Sequence, residues 1–180
     1  MSAAIVEQVP AQFPSLPHWP ASTEPVDATG TSFLVLAVGG GSKAAALARE
    51  WTAEAEALGP TTLAVLDAID HPADREAFQT VLGRARTGVR VMVVGGQYDV
   101  LQSLSLLRRS GALEAELRCF VTDYSEIPVF CAHCQRTFRA VAAPGGAATC
   151  PGCGRDLEVH EHMAALLGSF LASDAKARIL

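Results

Sequence analysis

The chain has 180 residues, of which 49% are hydrophobic and 18% are charged, and its formal net charge is −5. This composition is typical of a folded protein with an apolar core and excludes a largely disordered chain. The negative charge and the absence of a Lys/Arg run argue against nucleic-acid binding, because that affinity comes largely from neutralising phosphates.

No segment of the sequence predicts contact with a membrane. No apolar run reaches the roughly 18–20 residues needed to span a bilayer. The first thirty residues lack a basic start followed by an apolar block, which is the pattern of a secretory signal. The chain has five cysteines, and without a secretory signal these favour a reducing compartment, where paired cysteines more often bind metal than form disulfides. We therefore expect a cytoplasmic protein.

A proline-rich segment opens the chain. Residues 1–30 carry five of the ten prolines, and because proline fixes φ and removes a backbone donor, we predict an extended arm with little secondary structure. Phe13 and Trp19 lie between these prolines. One interpretation is a disordered leader. The other is an arm whose two aromatic side chains pack on this protein or on a partner.

Residues 31–124 alternate between two sequence periods and predict an α/β domain. Segments with the helical spacing of apolar residues lie between short apolar runs. Because strands separated by helices of three or four turns form right-handed crossovers, we predict a small parallel-sheet sandwich. The runs that predict buried strands are residues 33–38, 62–66, 89–94 and 117–121.

A glycine-rich turn follows the first predicted strand. Residues 39–44 match G-x-G-x-x-[G/A], and backbone N–H groups at such a helix start can bind a pyrophosphate. Asp67 ends the second strand, where a ribose-binding carboxylate is expected. Gly39, Gly41 and Asp67 are therefore candidate nucleotide-binding residues. The alternative is that glycine simply suits a tight turn between strand and helix. No set of side chains predicts a catalytic centre.

Two C-x₂-C pairs, Cys131/Cys134 and Cys150/Cys153, are separated by fifteen residues. Each spacing lets one turn present two sulfur atoms, and four thiolates complete a tetrahedral shell with no open position, which is typical of a structural zinc site. Residues 129–160 are rich in Ala and Gly, so we expect the metal to supply much of their folding free energy as a zinc ribbon.

Two alternatives to zinc remain for the cysteines. Iron is the rival ion, because Cys150–Gly154 resembles the second cysteine turn of rubredoxins, although Gln135 stands where rubredoxins have glycine in the first. Disulfide pairing is the other alternative.

The end of the chain predicts a short amphipathic helix over residues 161–172 and a tail over 173–180. We expect the helix to pack on its own ribbon or α/β domain; the alternative is a docking helix for another subunit. Its apolar stripe consists of Met163, Leu166, Leu167, Phe170 and Leu171.

The segment from Val129 to His162 resembles the small zinc-ribbon subunit of dimethylamine monooxygenase and of the related haem-dependent oxidative N-demethylase complexes. The shared features are an aromatic-flanked C-x-H-C pair ending at Cys134 and the sequence C-x-G-C-G-R-x-L-x-V starting at Cys150, followed by a histidine. The upstream part resembles a shortened pyridine-nucleotide domain of ferredoxin reductases. In this resemblance, Gly39–Gly41 corresponds to the first glycine turn of the reductase domain. Val93–Gly96 corresponds to the segment that faces the nicotinamide.

The resemblance implies a zinc-binding, non-catalytic subunit that organises the assembly or electron path of an NADPH- and O₂-dependent amine N-demethylating monooxygenase. Haem would then lie on one partner subunit, and FMN and a 2Fe–2S cluster on a reductase partner. Because Gly96 replaces the proline typical of the reductase motif, we do not expect NADPH to bind this chain. The alternatives are a free-standing nucleotide-binding enzyme or regulator with a structural zinc ribbon, and a zinc-ribbon adaptor in an unrelated assembly.

Overall fold

Parallel strands connected by helices form the first sheet of the computed structural model, which describes residues 15–177. Its strands follow the order β2-β1-β3-β4, and all three neighbouring pairs are parallel. The predicted parallel α/β sheet is thereby confirmed. The elements are β1 (Ser32–Val38), α1 (Gly41–Glu56), β2 (Thr61–Leu66), α2 (Pro72–Leu82), β3 (Val89–Gly96), α3 (Gln97–Arg109) and β4 (Leu117–Asp123).

Both faces of this sheet are covered by helices. Successive side chains of a strand point to opposite faces, so β1 contributes Leu34 and Leu36 to the core beneath α2 and α3, and Phe33 and Val35 to the core beneath α1. Trp51 of α1 closes the second of these cores. Burial on both faces explains why β1 is apolar at almost every position.

The cysteine-containing part of the chain forms a second sheet. Its strand order is β6-β5-β9-β8-β7, with β5 and β9 parallel and the other neighbours antiparallel. The predicted ribbon over residues 129–160 corresponds to only part of this sheet, which continues well past residue 160. The strands are β5 (Ile127–Cys131), β6 (Arg136–Ala140), β7 (Ala147–Thr149), β8 (Asp156–Ala164) and β9 (Ser169–Asp174).

The predicted helix over residues 161–172 is wrong, because this segment forms the end of β8, a turn and part of β9. Gly168 lies in the turn with φ of 59°, a left-handed conformation that interrupts a helix. The apolar residues have different environments: Phe170 is 1% exposed in the second sheet's core, whereas Leu166 at the turn is 64% exposed. The helical spacing arose from two strands and a turn, and pairing of β9 with β5 and β8 outweighed it.

Helix α3 packs against both sheets. Its residue Leu101 belongs to the core of the second sheet. Gln102 donates its side-chain N–H to the carbonyls of Leu167 and Gly168 at 3.0 and 2.8 Å, and the hydroxyl of Ser105 donates to the Leu166 carbonyl at 2.7 Å. The turn between β8 and β9 is therefore anchored on α3, and the two sheets share this helix.

The described part of the proline-rich arm lies on the chain itself. Ser15 pairs with β8 through a hydrogen bond to the Glu161 carbonyl at 3.1 Å and one from the Met163 N–H at 2.9 Å. Trp19 is half-buried and packs against the cores of both sheets. Phe13 lies outside the described residues. No helix within residues 15–177 is long and apolar enough to cross a membrane.

Candidate metal centre

Four cysteine side chains converge at the ends of strands in the second sheet. Cys131 is the last residue of β5, and Cys134 lies in the turn that leads to β6. Cys150 directly follows β7, and Cys153 precedes β8. All four Sγ atoms lie within 4.8 Å of one another, with 3.8 Å between Cys131 and Cys153 and 3.6 Å between Cys134 and Cys150. The two pairs therefore form one site.

The two cysteine pairs lie in turns of the same geometry. The backbone N–H of Gln135 donates to the Cys131 carbonyl at 2.8 Å, and that of Gly154 donates to the Cys150 carbonyl at 2.8 Å. Both donor residues are left-handed, with φ of 56° at Gln135 and 70° at Gly154. Glycine adopts this conformation freely, whereas a side chain at that φ is strained. The first turn therefore carries strain that the second avoids.

Backbone amides also face the sulfur atoms. Burial opposes ionisation of the Cys150 thiol, but the N–H groups of Gly152 and Cys153 donate to it and lower its pKa to about 7. For Cys134, burial and the hydrogen bonds with neighbouring thiols raise the pKa to about 12. Because the thiolate is the form that binds metal, metal binding must release protons from this group of thiols.

The donor set fits a tetrahedral metal ion. Zinc–sulfur bonds of about 2.3 Å give a tetrahedron whose sulfur atoms are roughly 3.8 Å apart, close to the 3.6 Å between Cys134 and Cys150 and the 3.8 Å between Cys131 and Cys153. A disulfide needs a separation of about 2.05 Å, and all four thiols are free. Four thiolates around one tetrahedral ion would leave no open coordination position for substrate.

Other metal-ligating side chains stay apart from this centre. Within the described residues 15–177, the four cysteines form the only group of three or more His, Cys, Asp or Glu side chains whose ligand atoms all lie within 4.8 Å of one another. His133, inside the first cysteine turn, is exposed, and His160 Nε2 lies 2.9 Å from the Ser173 hydroxyl. Cys119 is half-buried on β4, where burial raises the pKa of its thiol to about 11.

The glycine turn lies at the carboxyl edge of the first sheet. The strand order places β2 on one side of β1 and β3 on the other, and α/β proteins bind ligands where the order reverses in this way. A crevice of about 220 Å³ opens there, lined by Gly39 and Asp67 among others. Gly41, the first residue of α1, is exposed and is not part of this lining.

Carboxylates dominate this crevice. Asp67, Asp99, Asp123 and Glu126 line it. A Cβ atom at Gly39 would lie 2.5 Å from Asp99 Oδ2, so the Asp99 carboxylate occupies the space in front of the glycine turn. A pyrophosphate at that position would face this carboxylate at close range, and like charges repel. This argues against nucleotide binding by Gly39, Gly41 and Asp67, which stays an untested prediction.

Asp99 and Arg139 are the residues of this region that no sequence motif marks. Asp99 is 2% exposed and accepts the Ile69 N–H at 3.0 Å as well as both terminal nitrogens of Arg139. An acidic residue in the first turn of α3 has an ordinary role beside the helix dipole. Only the folded chain brings Asp99 close to an arginine forty positions away.

Comparison with known proteins identifies the second sheet. The family described as "Dimethylamine monooxygenase subunit DmmA-like, C-terminal domain" matches residues 128–172. These residues are similar to that C-terminal domain. They contain all four cysteines, strands β6 to β8 and most of β5 and β9. The predicted resemblance of the cysteine region to this type of subunit is confirmed.

One curated relative extends the likeness beyond the DmmA-like domain. The "Heme-dependent oxidative N-demethylase delta subunit" of Ectopseudomonas mendocina (strain ymp) is 35% identical over 98 residues. This alignment covers 54% of the present chain and 55% of the relative, so the chain spans about half the length of the protein that it matches. The comparison with solved structures gave no significant match.

Proposed function

We propose that this chain is a non-catalytic, zinc-binding subunit of a multi-subunit, NADPH- and O₂-dependent monooxygenase that N-demethylates amines. Its role is to organise the assembly or the electron path between the other subunits. The observation that carries the proposal is the convergence of four cysteines in a region that matches the dimethylamine monooxygenase subunit family. The similarity of the chain to the delta subunit of a heme-dependent oxidative N-demethylase supports it. The cytoplasmic location is part of this proposal.

A structural role for the metal follows from the donor set. Four thiolates around one zinc ion leave no open coordination position, so the ion holds the ends of β5, β6, β7 and β8 together and does not activate a substrate. Zinc binding contributes apparent free energies of about 10–16 kcal/mol in small zinc domains at pH 7. Such a contribution suits a sheet with strands as short as β7, which has three residues.

The redox chemistry is assigned to partner subunits. The resemblance implies haem on one partner, and FMN and a 2Fe–2S cluster on a reductase partner that oxidises NADPH. Within the described part of this chain, the acidic crevice next to Gly39 gives no support for an NADPH site. The same feature disfavours the alternative proposal of a free-standing nucleotide-binding enzyme or regulator.

Metal analysis of the purified chain tests the first half of the proposal. We expect about one zinc ion per chain and a colourless protein, because Zn²⁺ has a filled d shell. The variant Cys150→Ser should lose the metal, whereas Cys119→Ser, at a cysteine outside the cluster, should retain it. Bound iron with thiolate-to-iron absorption would favour the rubredoxin-type alternative over zinc. Protein purified without any metal would contradict the prediction of a metal site.

Co-expression with the neighbouring genes tests the second half. We expect the chain to co-purify with haem- and flavin-containing proteins, and amine-dependent NADPH oxidation by the mixture to require it. The chain alone should show neither haem nor flavin absorption. A stable monomer that leaves co-expressed haem and flavin subunits unbound would contradict the subunit role, while tight NADPH binding to the chain alone in calorimetry would favour the nucleotide-binding alternative.

A further inference from the structure

The crevice beside the glycine turn already holds a cationic ligand from the same chain. Arg139 donates from Nη1 to Asp99 Oδ2 and to Glu126 Oε2, both at 3.0 Å, and from Nη2 to Asp99 Oδ1 and to Asp70 Oδ1, both at 2.8 Å. Its guanidinium carbon lies 3.9 Å from the centre of the Tyr98 ring. The bidentate pair with Asp99 and the aromatic stacking are the interactions that guanidinium makes best.

Asp99 depends on this arginine. Its side chain is 3% exposed, and a buried carboxylate is costly unless it is paired. Asp70 and Glu126 are 45% and 39% exposed, so water can satisfy them without Arg139. Arg139 therefore contacts one carboxylate that needs a cation and two that help to hold the arginine. Of the residues that line the crevice, Arg139 is the only Lys or Arg.

The position of Arg139 in the chain connects the crevice to the cysteine site. β6 begins at Arg136, two residues after Cys134, and Arg139 lies on this strand. The N–H of Arg136 donates to the sulfur of Cys134. β6 is an edge strand that pairs only with β5, and β5 itself ends at Cys131. Both strands that hold Arg139 in place are thus joined at the cysteine centre.

We propose that Arg139 is an internal ligand that couples metal loading of the cysteine site to the stability of the parallel sheet. With the metal bound, β5 and β6 are held together and Arg139 is placed against Asp99. Loss of the metal loosens the start of β6 and withdraws Arg139. The Asp99 carboxylate in the first turn of α3 is then buried beside the end of β1 without its counter-ion. The inference rests on the proposed metal binding and is independent of partner assembly.

Hydrogen exchange of the central amides of β1 and β3, measured with and without a chelator, tests the coupling. In the natural protein, chelation should raise the exchange rate of these amides by about tenfold or more, because protection follows the free energy of opening. In Arg139→Gln the amides should exchange faster even with metal bound, and chelation should raise the rate by only about threefold or less. The matched control is Arg108→Gln, which removes the exposed pair with Glu114 and should keep the full response.

A second variant covers the case in which Arg139→Gln does not fold. Glu126→Gln removes one negative charge that Arg139 contacts at a partly exposed position and should reduce the response to chelation partially. If chelation accelerates exchange in Arg139→Gln as much as in the natural protein, the coupling is refuted. If Arg139→Gln is insoluble, the same result in Glu126→Gln refutes it. The coupling is also refuted if chelation removes the metal from the natural protein without changing amide exchange in β1 and β3. Metal content is measured on the same samples, and protein that never held metal overturns the metal proposal and the coupling together.

Discussion

Gly168 offers a sharp test of how the two sheets are joined. It lies in the turn between β8 and β9 with φ of 59°. A Cβ atom there would be 2.5 Å from the Leu101 carbonyl oxygen and 2.8 Å from the Ser105 Cβ. Neither neighbour is the end of a flexible side chain, so the substitution Gly168→Ala must push the turn away from α3. The hydrogen bonds from Gln102 and Ser105 to this turn would lengthen with it.

The expected decrease in the free energy of unfolding of Gly168→Ala has two parts. A left-handed alanine costs about 1–2 kcal/mol relative to glycine, and an overpacked contact costs roughly 1–3 kcal/mol more. Gly41→Ala is the matched control, because Gly41 has the same φ of 59° but no atom within 4 Å of the Cβ position. At about 2–4 °C per kcal/mol for a chain of this size, we expect the melting temperature to fall by about 2–8 °C for Gly41→Ala and by about 4–20 °C for Gly168→Ala.

Thermal unfolding followed by circular dichroism, with both variants loaded with metal, measures this difference. The free energy of unfolding of Gly168→Ala should be lower than that of Gly41→Ala by the contact part alone, about 1–3 kcal/mol. Equal destabilisation of the two variants would mean that only the backbone conformation matters. The close packing of α3 against the β8–β9 turn would then be refuted.

Two further predictions concern the cysteines. Gln135→Gly should raise the free energy of unfolding, measured by urea titration, by about 0.5 kcal/mol. Relief of the left-handed strain, about 1–2 kcal/mol, exceeds the stabilisation of the unfolded chain by its added entropy, roughly 0.4–1 kcal/mol. Gln135→Ala keeps the strain and should give no gain. Cys119, with its pKa raised to about 11, should be thiolate in about one molecule in a thousand at pH 8. Ellman's reagent should therefore find no fast-reacting thiol in the metal-loaded protein, and new reactive thiols should appear only after chelation. A fast-reacting thiol before chelation, lost in Cys119→Ser, would contradict the buried environment of that residue.

The parallel sheet was predictable because its signals are local. β1, β2, β3 and β4 lie close to the four apolar runs of the sequence, and burial on both faces requires such runs. The strand order β2-β1-β3-β4 was not predictable, because it depends on how the helices pack against the sheet and not on any local sequence pattern. The helix predicted over 161–172 failed for a related reason: the apolar spacing around Gly168 fits a helix and a strand–turn–strand equally, and pairing with β5 decided the outcome.

The candidate sites divide in the same way. The cysteine centre was visible because metal geometry imposes a fixed spacing within each pair, and the sequence carries that spacing twice. The pairing of Asp99 with Arg139 was not visible in the sequence. An acidic residue in the first turn of a helix and an arginine on an edge strand are both common and mark no site. Their contact exists only after β6 has been placed beside the first sheet, a step that no local pattern encodes.

The glycine turn has a structural explanation beside the nucleotide-binding one that its motif predicts. Gly39 and Gly40 have φ of 62° and 70°, which alone favours glycine. A Cβ atom at Gly40 would lie 2.6 Å from the Thr122 hydroxyl, and one at Gly39 would meet Asp99. Backbone conformation and close packing therefore account for both glycines without a phosphate. In a nucleotide-binding fold the space before such a turn is kept for an anion, whereas here a carboxylate fills it and an arginine from the metal-binding sheet neutralises that carboxylate.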